Sequence, residues 1–532
     1  MIEHVTRGIA AVVTACLFCA STQKGIGALQ QSGYKNGTFL RWLGKKGNLY
    51  FNRLAVFALC LALTAGIFSL CFSFLGERWA LVSSALPFFV LSLIFYWADS
   101  RFALKVQFKR TGRFNRLFVA YVILTAGIGF GLLSLLGWLK EVNGSVLYGL
   151  VAYVPYAVMP IALPFLLCLA NLILGVFETA RNKKFIKRAG QVLDETKIVR
   201  IGIVGSYGKT SIKNILATIL GEKYSVVATP ESYNTPMGIA KTVFSDEFNG
   251  KQILIAEMGA RKAGDIAQLC GLVKPDYAIF TGVCAQHMQT FGSVQNAWAE
   301  KSEILKCGAK KVVCGNSLRE RIEGEFSGAE CVAYAEPVRD ISLQATNTNF
   351  TLCMDGVDLQ LSTKLLGGGA VENIALAARL CRELGMSAEE IASGVQKLQP
   401  VPHRLQLIES GGAYILDDGY NCNAVGAREA LLALGRFAGR KCVVTPGIIE
   451  CGVLEEEING ELGAEIAKLA PDKVILVGET LVGAVKNGYK NAGGDEAKLS
   501  VSKDLKGAQT ALGEWVGKGD AVLFLNDLPD VY

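Results

Sequence analysis

The sequence predicts a multi-domain chain: an all-α transmembrane bundle, then an α/β domain built on a phosphate-binding loop, then a smaller α/β domain of the dinucleotide-binding type. Three observations predict this. The first third is made of long, charge-free apolar runs. A β-branched run, Lys197–Val204, leads into a glycine loop and an apolar helical pattern. Past Pro400-Val-Pro402, short apolar strands recur between helical segments. With 532 residues, 51% hydrophobic and 19% charged, the chain is neither disordered nor a small disulfide scaffold. At ~150 residues per domain, its length fits about three to four domains.

Charge divides the chain in the same place. Residues 1–177 hold 15 Lys/Arg and 4 Asp/Glu, and the remainder holds 39 and 43. A nucleic-acid binder would carry its basic residues on a soluble face. Here they flank apolar runs, which points to a membrane surface and to no nucleic acid. The fifteen cysteines are scattered, and the CxxC spacing of Cys16 and Cys19 lies inside an apolar run. Those of the later part fit a reducing compartment. With three histidines, His4, His287 and His403, and no clustered cysteines, a zinc site is not expected.

Five runs are span candidates: 8–23, 54–76, 79–98, 117–139 and 145–177. A span needs ~20 apolar residues. The first is short and reads as a thin span, with a signal sequence as the alternative. The fifth is interrupted by Pro155, Pro160 and Pro164, as in a kinked or broken helix. Basic residues crowd 24–53, 99–116 and the linker 178–197, while the intervening loops are nearly neutral. The positive-inside rule then puts the amino terminus outside and the rest after Phe177 in the cytoplasm, as a multi-pass plasma-membrane protein. No run holds an internal Asp, Glu, Lys or Arg, which argues for an anchor over a transport pathway.

The loop itself is Gly205, Ser206, Tyr207, Gly208, Lys209, Thr210 and Ser211, followed by the helical pattern Ile212–Leu220. Strand, glycine loop, GK[ST] and helix together cradle phosphates on backbone N–H groups and a helix N-terminus. Lys209 would reach the β- and γ-phosphates, and the Thr210 hydroxyl would reach Mg²⁺. The spacing is shorter than the common G-x-x-x-x-G-K. Glu257 ends a second apolar strand, 253–256, where a carboxylate would hold Mg²⁺. A third strand, Pro275–Thr281, precedes His287, and Trp298–Ile304 opens a helix.

These segments in this order resemble the Mur ligases, the ATP-dependent amide-forming enzymes of cell-wall peptide assembly, and most of all the branch that adds D-alanyl-D-alanine. The resemblance runs from about residue 198 to 460. It rests on GSYGKTS at 205–211, AEMGARKAGDIAQL at 256–269, KPDYAIFTGVCAQHMQTFGSVQNAWAEKSEIL at 274–305, ENIALAARL at 372–380 and ILDDGYNCN at 415–423. It implies a ligase that phosphorylates a carboxylate with ATP to an acyl phosphate, which an amine then attacks. It also implies roles. Lys209 and Thr210 match phosphate contacts. Glu257 and His287 match magnesium ligands, and Lys301 matches a lysine often carbamylated to help hold a second Mg²⁺. Asn373 matches an adenine contact, Arg404 a phosphate contact, and Asp418 a ribose contact, with Asn421 and Asn423 in the same loop.

The sequence departs from that pattern in several places. Gly369 and Ala370 stand where the family has His and Asn, Ala424 replaces a proline, and the loop 229–242 has Asn234-Thr235 for Asn-Asn and Ala240 for a proline. The family's late K-G-S-R signature is absent. In front, where the family places a domain for the acceptor's uridine nucleotide, this chain has its apolar runs. The expectation is a membrane-anchored ligase, domain 198–402 binding ATP and domain 403–532 closing over it. Its acceptor would be a cell-wall peptide precursor, possibly lipid-linked, and its amine an amino acid or dipeptide. The rivals are ligation of another amino acid or of a poly-γ-glutamate-like polymer, a P-loop ATPase-driven transporter, and a catalytically silent scaffold. The oligomeric state is left open.

Overall fold

The computed structural model describes residues 2–44, 48–72, 77–100, 109–143, 157–286, 288–326, 330–420 and 422–525. They form two compact units, Met1–Arg181 and Asn182–Leu528.

The first unit is helical, with helices Ile2–Ser21, Gln23–Gln31, Asn36–Leu43, Tyr50–Phe72, Glu77–Ser100, Gly112–Asn143 and the start of Met159–Glu195. Its interior is apolar, with Phe18, Phe39, Leu117 and Tyr121 almost fully buried. Its outer surface is apolar as well: Ile123, Leu172 and Val176 are each more than 60% exposed. An exposed apolar coat of this kind is unfavourable in water and favourable in hydrocarbon. Among the described residues two helices are long and apolar enough to cross a membrane, and the pair Arg7–Ser21 and Gln23–Gln31, bent by 53°, would make a third. The expected span 54–76 falls on Tyr50–Phe72, its last four residues lying outside the described ones, and 79–98 falls on Glu77–Ser100; Tyr50–Thr64 and Phe88–Asp99 are their shorter apolar stretches. Among the described residues two carboxylates are buried in this unit: Glu178 pairs with Arg116 at 2.6 Å and Arg181 at 3.0 Å. Asp99 has Lys24 at 3.9 Å and Arg53 at 4.0 Å.

The basic, helix-like stretch expected at 178–197 is helical as far as Glu195. Met159–Glu195 is one continuous helix. Its end is amphipathic, and Ala189 and Leu193 are buried in the core of the second unit. Basic residues face outward from it and form the polar face of that helix. Pro155 lies outside the described residues. Pro160 and Pro164 sit within the first six positions, where few N–H groups have helical partners to lose, so the helix is not broken.

The second unit holds two parallel-rich sheets. The first has order β2-β3-β1-β4-β5-β6, all parallel: β1 Val199–Val204, β2 Val226–Ala228, β3 Ile253–Glu257, β4 Tyr277–Phe280, β5 Lys311–Cys314 and β6 Val332–Tyr334. Its strands are apolar on both faces because helices cover both. Ile201, Ile203, Ile255 and Ile279 face the helices Lys209–Leu220, Gly368–Glu383 and Ala388–Gln396. Leu254, Ala256 and Phe280 face the other side, where Met258, Leu269 and Trp298 pack.

An antiparallel three-stranded sheet, β7 Val338–Leu343, β8 Thr348–Met354 and β9 Val357–Thr363, follows. Sequence analysis passed over it. Its signal is Asp355-Gly356, both at positive φ (48° and 80°), a two-residue hairpin turn.

The last sheet has order β10-β11-β15-β12-β13-β14. The strands are β10 Gln406–Ser410, β11 Ala413–Asp418, β12 Lys441–Thr445, β13 Lys473–Val477, β14 Leu499–Ser502 and β15 Ala521–Leu525. β10 and β11 form a hairpin, and the other pairs are parallel.

Here the helices Glu455–Leu469 and Val482–Asn491 touch backbone to backbone through glycine. A Cβ on Gly488 would stand 1.9 Å from the Gly460 carbonyl, and one on Gly463 2.1 Å from that of Val485. Backbone cannot give way as a side-chain tip can. Gly488→Ala is therefore expected to destabilise this part by about 1–3 kcal/mol, read as a lower calorimetric midpoint. Gly493→Ala, with nothing within 4 Å but a positive φ of 81°, should cost less.

Candidate active site

β1 ends at Val204 in the middle of its sheet, and the chain must turn sharply to start a helix. Gly205 makes the turn at φ 154°, where an added Cβ would lie 1.8 Å from Thr281 Oγ1. Thr281 holds the loop from the neighbouring strand end. Its hydroxyl donates to the Tyr207 carbonyl at 2.6 Å and its N–H to the Val204 carbonyl at 2.9 Å. Gly208, at φ 75°, caps the helix Lys209–Leu220 with no side chain over the end. The first N–H groups therefore point into open space, which favours an anion.

The side chains follow from that backbone. Lys209 is the first helical residue, and its ammonium donates back to the Gly205 carbonyl at 2.7 Å. Burial holds its pKa below the ordinary lysine value, opposed by Glu257 and reinforced by Arg404. Thr210 donates to Glu257 Oε2 at 3.0 Å. Glu257 is 2% exposed at the end of β3, next to β1, and also accepts from Lys213 at 3.1 Å and Asn234 at 3.3 Å. A hydroxyl and a carboxylate converging beside a phosphate loop are the hard oxygen donors that suit Mg²⁺, which needs few protein ligands.

These groups line one cleft of about 710 Å³. Ser206, Tyr207, Gly208, Lys209, Thr210 and Ser211 form one wall, with Glu257, Lys301 and Asn373 beside them. Arg404, Asp418 and Asn423 line it from the last α/β part. Gly205 shapes the loop without lining the cleft. His287 and Asn421 lie outside the described residues. Arg404 lies over the Tyr420 ring at 4.7 Å, and the Tyr420 hydroxyl is 3.0 Å from that of Ser232. Asp418 accepts from the Leu405 N–H at 3.0 Å, and burial pushes its carboxyl pKa up. Asn423 caps the helix Ala424–Leu434 by accepting from Gly426 N–H at 3.0 Å.

The expectation that Trp298–Ile304 opens a helix is corrected. Ser293 caps the helix Val294–Lys301, so Lys301 closes it. Lys301 is 2% exposed, with its ammonium 5.1 Å from the centre of the Phe291 ring. Burial first, then the Lys209 charge, lowers its pKa from 10.5 to about 7. The unfolded chain therefore binds a proton that the folded chain does not between pH about 7 and 10.5. Stability from this group rises with pH across that window and is lost as pH falls through 7. Lys301→Met is expected to flatten that rise and to raise the melting temperature near pH 7, measured by calorimetry at pH 7 and 9.5.

Sequence analysis missed Lys213, Tyr420 and Glu429. Lys213 lies one turn after Lys209 on the same helix face, a spacing that could have singled it out. Glu429 sits beside Gly367, Gly368 and Gly369, accepting from the Gly369 N–H at 3.3 Å. Nothing in the local sequence near Gly369 announces it.

Residues 203–381 match the model of the Mur ligase middle domain. This chain carries a Mur ligase middle domain. Members of this family are ATP-dependent amide-bond-forming ligases. The chain is 28% identical over 335 residues to the UDP-N-acetylmuramoyl-tripeptide–D-alanyl-D-alanine ligase of Bacillus subtilis, covering 61% of this chain and 72% of that one. The Escherichia coli enzyme of the same name is 26% identical over 298 residues, covering 52% and 64%. The alignment thus reaches just under two thirds of that second relative. The MurF ligase of Thermotoga maritima, solved with ADP, superposes with a TM-score of 0.58 at 26% identity, over 66% of this chain and 81% of that one. The Mur ligase domain here therefore has relatives whose names specify both the bond formed and the substrates joined.

Proposed function

We propose that this chain is a membrane-anchored ligase that uses ATP and Mg²⁺ to join a carboxylate of a cell-wall peptide precursor to an amine. The observation that carries the reading is a single cleft in which the loop 205–211, Glu257 and Lys301 meet Arg404 and Asp418. Residues 198–402 act as the ATP-binding domain and 403–532 as the closing domain, hinged at Pro400-Val-Pro402.

The loop N–H groups and Lys209 bind the β- and γ-phosphates, and Asn373 and Asp418 hold the base and ribose. Arg404 meets the phosphates from the closing domain, and Asn421 and Asn423 follow Asp418 in the sequence. Thr210 and Glu257 would hold Mg²⁺, with His287 and a carbamylated Lys301 for a second ion. Bound Mg²⁺ supplies positive charge against the phosphates. A Lys301 pKa of about 7 keeps much of its amine neutral near pH 7, the form that takes up carbon dioxide. The acceptor carboxylate attacks the γ-phosphorus, ADP leaves, and the amine displaces phosphate from the acyl phosphate. Closure keeps water from that intermediate.

The apolar coat of the first unit and the basic residues flanking its runs support five membrane spans with the catalytic part cytoplasmic. An anchored enzyme with apolar helices ahead of its Mur ligase domain suits an acceptor presented by the membrane, a lipid-linked muropeptide, with D-alanyl-D-alanine or another amino acid or dipeptide as the amine. The test uses the full chain in detergent with ATP, Mg²⁺, D-alanyl-D-alanine and each acceptor form. Mass spectrometry is expected to find the ligated product from the lipid-linked acceptor. Efficient ligation of the soluble uridine-linked form, with none of the lipid-linked form, would overturn this acceptor assignment.

A further inference from the structure

We infer that Lys213 is a positioning residue of the nucleotide site, fixing the Glu257 carboxylate for the magnesium–nucleotide and tying it to the loop 229–235. This deepens the proposed function and rests on it only for the nucleotide, not for acceptor or amine. Lys213 is 2% exposed, and a buried ammonium is retained only where its charge and donors are answered. Both are answered here. Its Nζ lies 3.1 Å from Glu257 Oε2 and also donates to the Glu231 carbonyl. Glu231 sits at φ 43°, an unfavourable conformation for a residue with a side chain, which the surrounding bonds must sustain.

The two lysines one turn apart have separate tasks. Lys209 bonds its own loop at Gly205 and faces the phosphate position, while Lys213 faces the carboxylate. Thr210 also donates its one hydroxyl proton to Glu257 Oε2. Its oxygen can meet a cation with a lone pair while that proton stays on Oε2, so Thr210 and Lys213 hold the carboxylate together. The loop wraps the same residue from the other side. Thr229 Oγ1 accepts the Glu257 N–H at 3.1 Å, and Asn234 donates to Oε1 at 3.3 Å. Ser232, Asn234 and Thr235 of that loop line the cleft. Lys213 therefore sets the geometry of the carboxylate and of the cleft wall together.

The test measures ADP binding to the detergent-purified full chain by titration calorimetry, with and without MgCl₂, for wild type, Lys213→Met and Lys213→Arg. Lys213→Met is expected to leave metal-free ADP affinity within threefold. It should reduce the strengthening of ADP binding by Mg²⁺ at least tenfold, with Lys213→Arg in between. A purely structural role would lower the melting temperature without separating these two affinities. A folded Lys213→Met chain whose magnesium effect stays within twofold of wild type overturns the inference. If Lys213→Met does not fold, Lys213→Arg is read alone, with at least a threefold loss expected and less than twofold overturning it. Failure of both to fold assigns the lysine to the fold and also overturns it. A wild-type chain that binds magnesium–ADP normally yet ligates nothing contradicts the ligase reading and leaves this one standing.

Discussion

Lys209→Met lowers ATP turnover by about 10²–10³-fold, the usual loss when one preorganised donor to a developing oxyanion is removed. The Lys209 ammonium is half-buried in the cleft wall, begins the helix that follows the loop, and has its pKa lowered by partial desolvation. A charge already partly stripped of water loses less when a phosphate arrives, and its attraction is felt in a low-dielectric cleft. Methionine keeps the length and apolar stem, and the carbonyl that Lys209 meets at 2.7 Å can turn to water. The fold should therefore persist, with a melting temperature no lower than that of the unmodified chain. Single-turnover kinetics check the effect, and a loss below tenfold would mean the phosphates are held elsewhere.

Gly205→Ala should be nearly as severe, by a different route. The added methyl would stand 1.8 Å from Thr281 Oγ1, 3.1 Å from Thr281 Cβ and 3.2 Å from the Gly282 carbonyl. Thr281 cannot step aside cheaply, because its hydroxyl and its N–H are both spent on the loop and on β1. Forced overpacking costs about 1–3 kcal/mol, which in binding terms is a weakening of about five- to over a hundredfold. ADP affinity by calorimetry reads this directly. Gly205→Ala combined with Thr281→Ala should recover part of the loss, since the nearest clash is the removed oxygen. Full ADP affinity in the single variant would show that the loop is not built as described.

Much of this was legible before any coordinates. The strand Ile253–Glu257 covers the expected run 253–256, and Tyr277–Phe280 lies inside 275–281, because each is a short apolar run bounded by polar residues. The loop 205–211 was legible because only a glycine-rich turn between a strand and a helix leaves N–H groups free. What escaped depends on distant partners. That the helix-like residues 178–195 pack on a core is decided by Ala189 and Leu193 finding the second unit's interior. Lys213 looks like any helix lysine until Glu257, 44 residues later, is brought 3.1 Å away. Glu429 reaches the glycines at 367–369 across 60 residues of chain. Local sequence carries periodicity and turn chemistry, and it carries no record of which buried charge a lysine will meet.

The most direct test of the central claim follows an oxygen atom. The full chain in detergent is given ATP, Mg²⁺, an amine and an acceptor whose carboxylate carries ¹⁸O, and the released phosphate is analysed by mass spectrometry. Transfer of γ-phosphate to that carboxylate predicts one ¹⁸O in each inorganic phosphate, matched one to one with amide product. Amide formed with unlabelled phosphate, or ATP turnover that needs no acceptor, would contradict it.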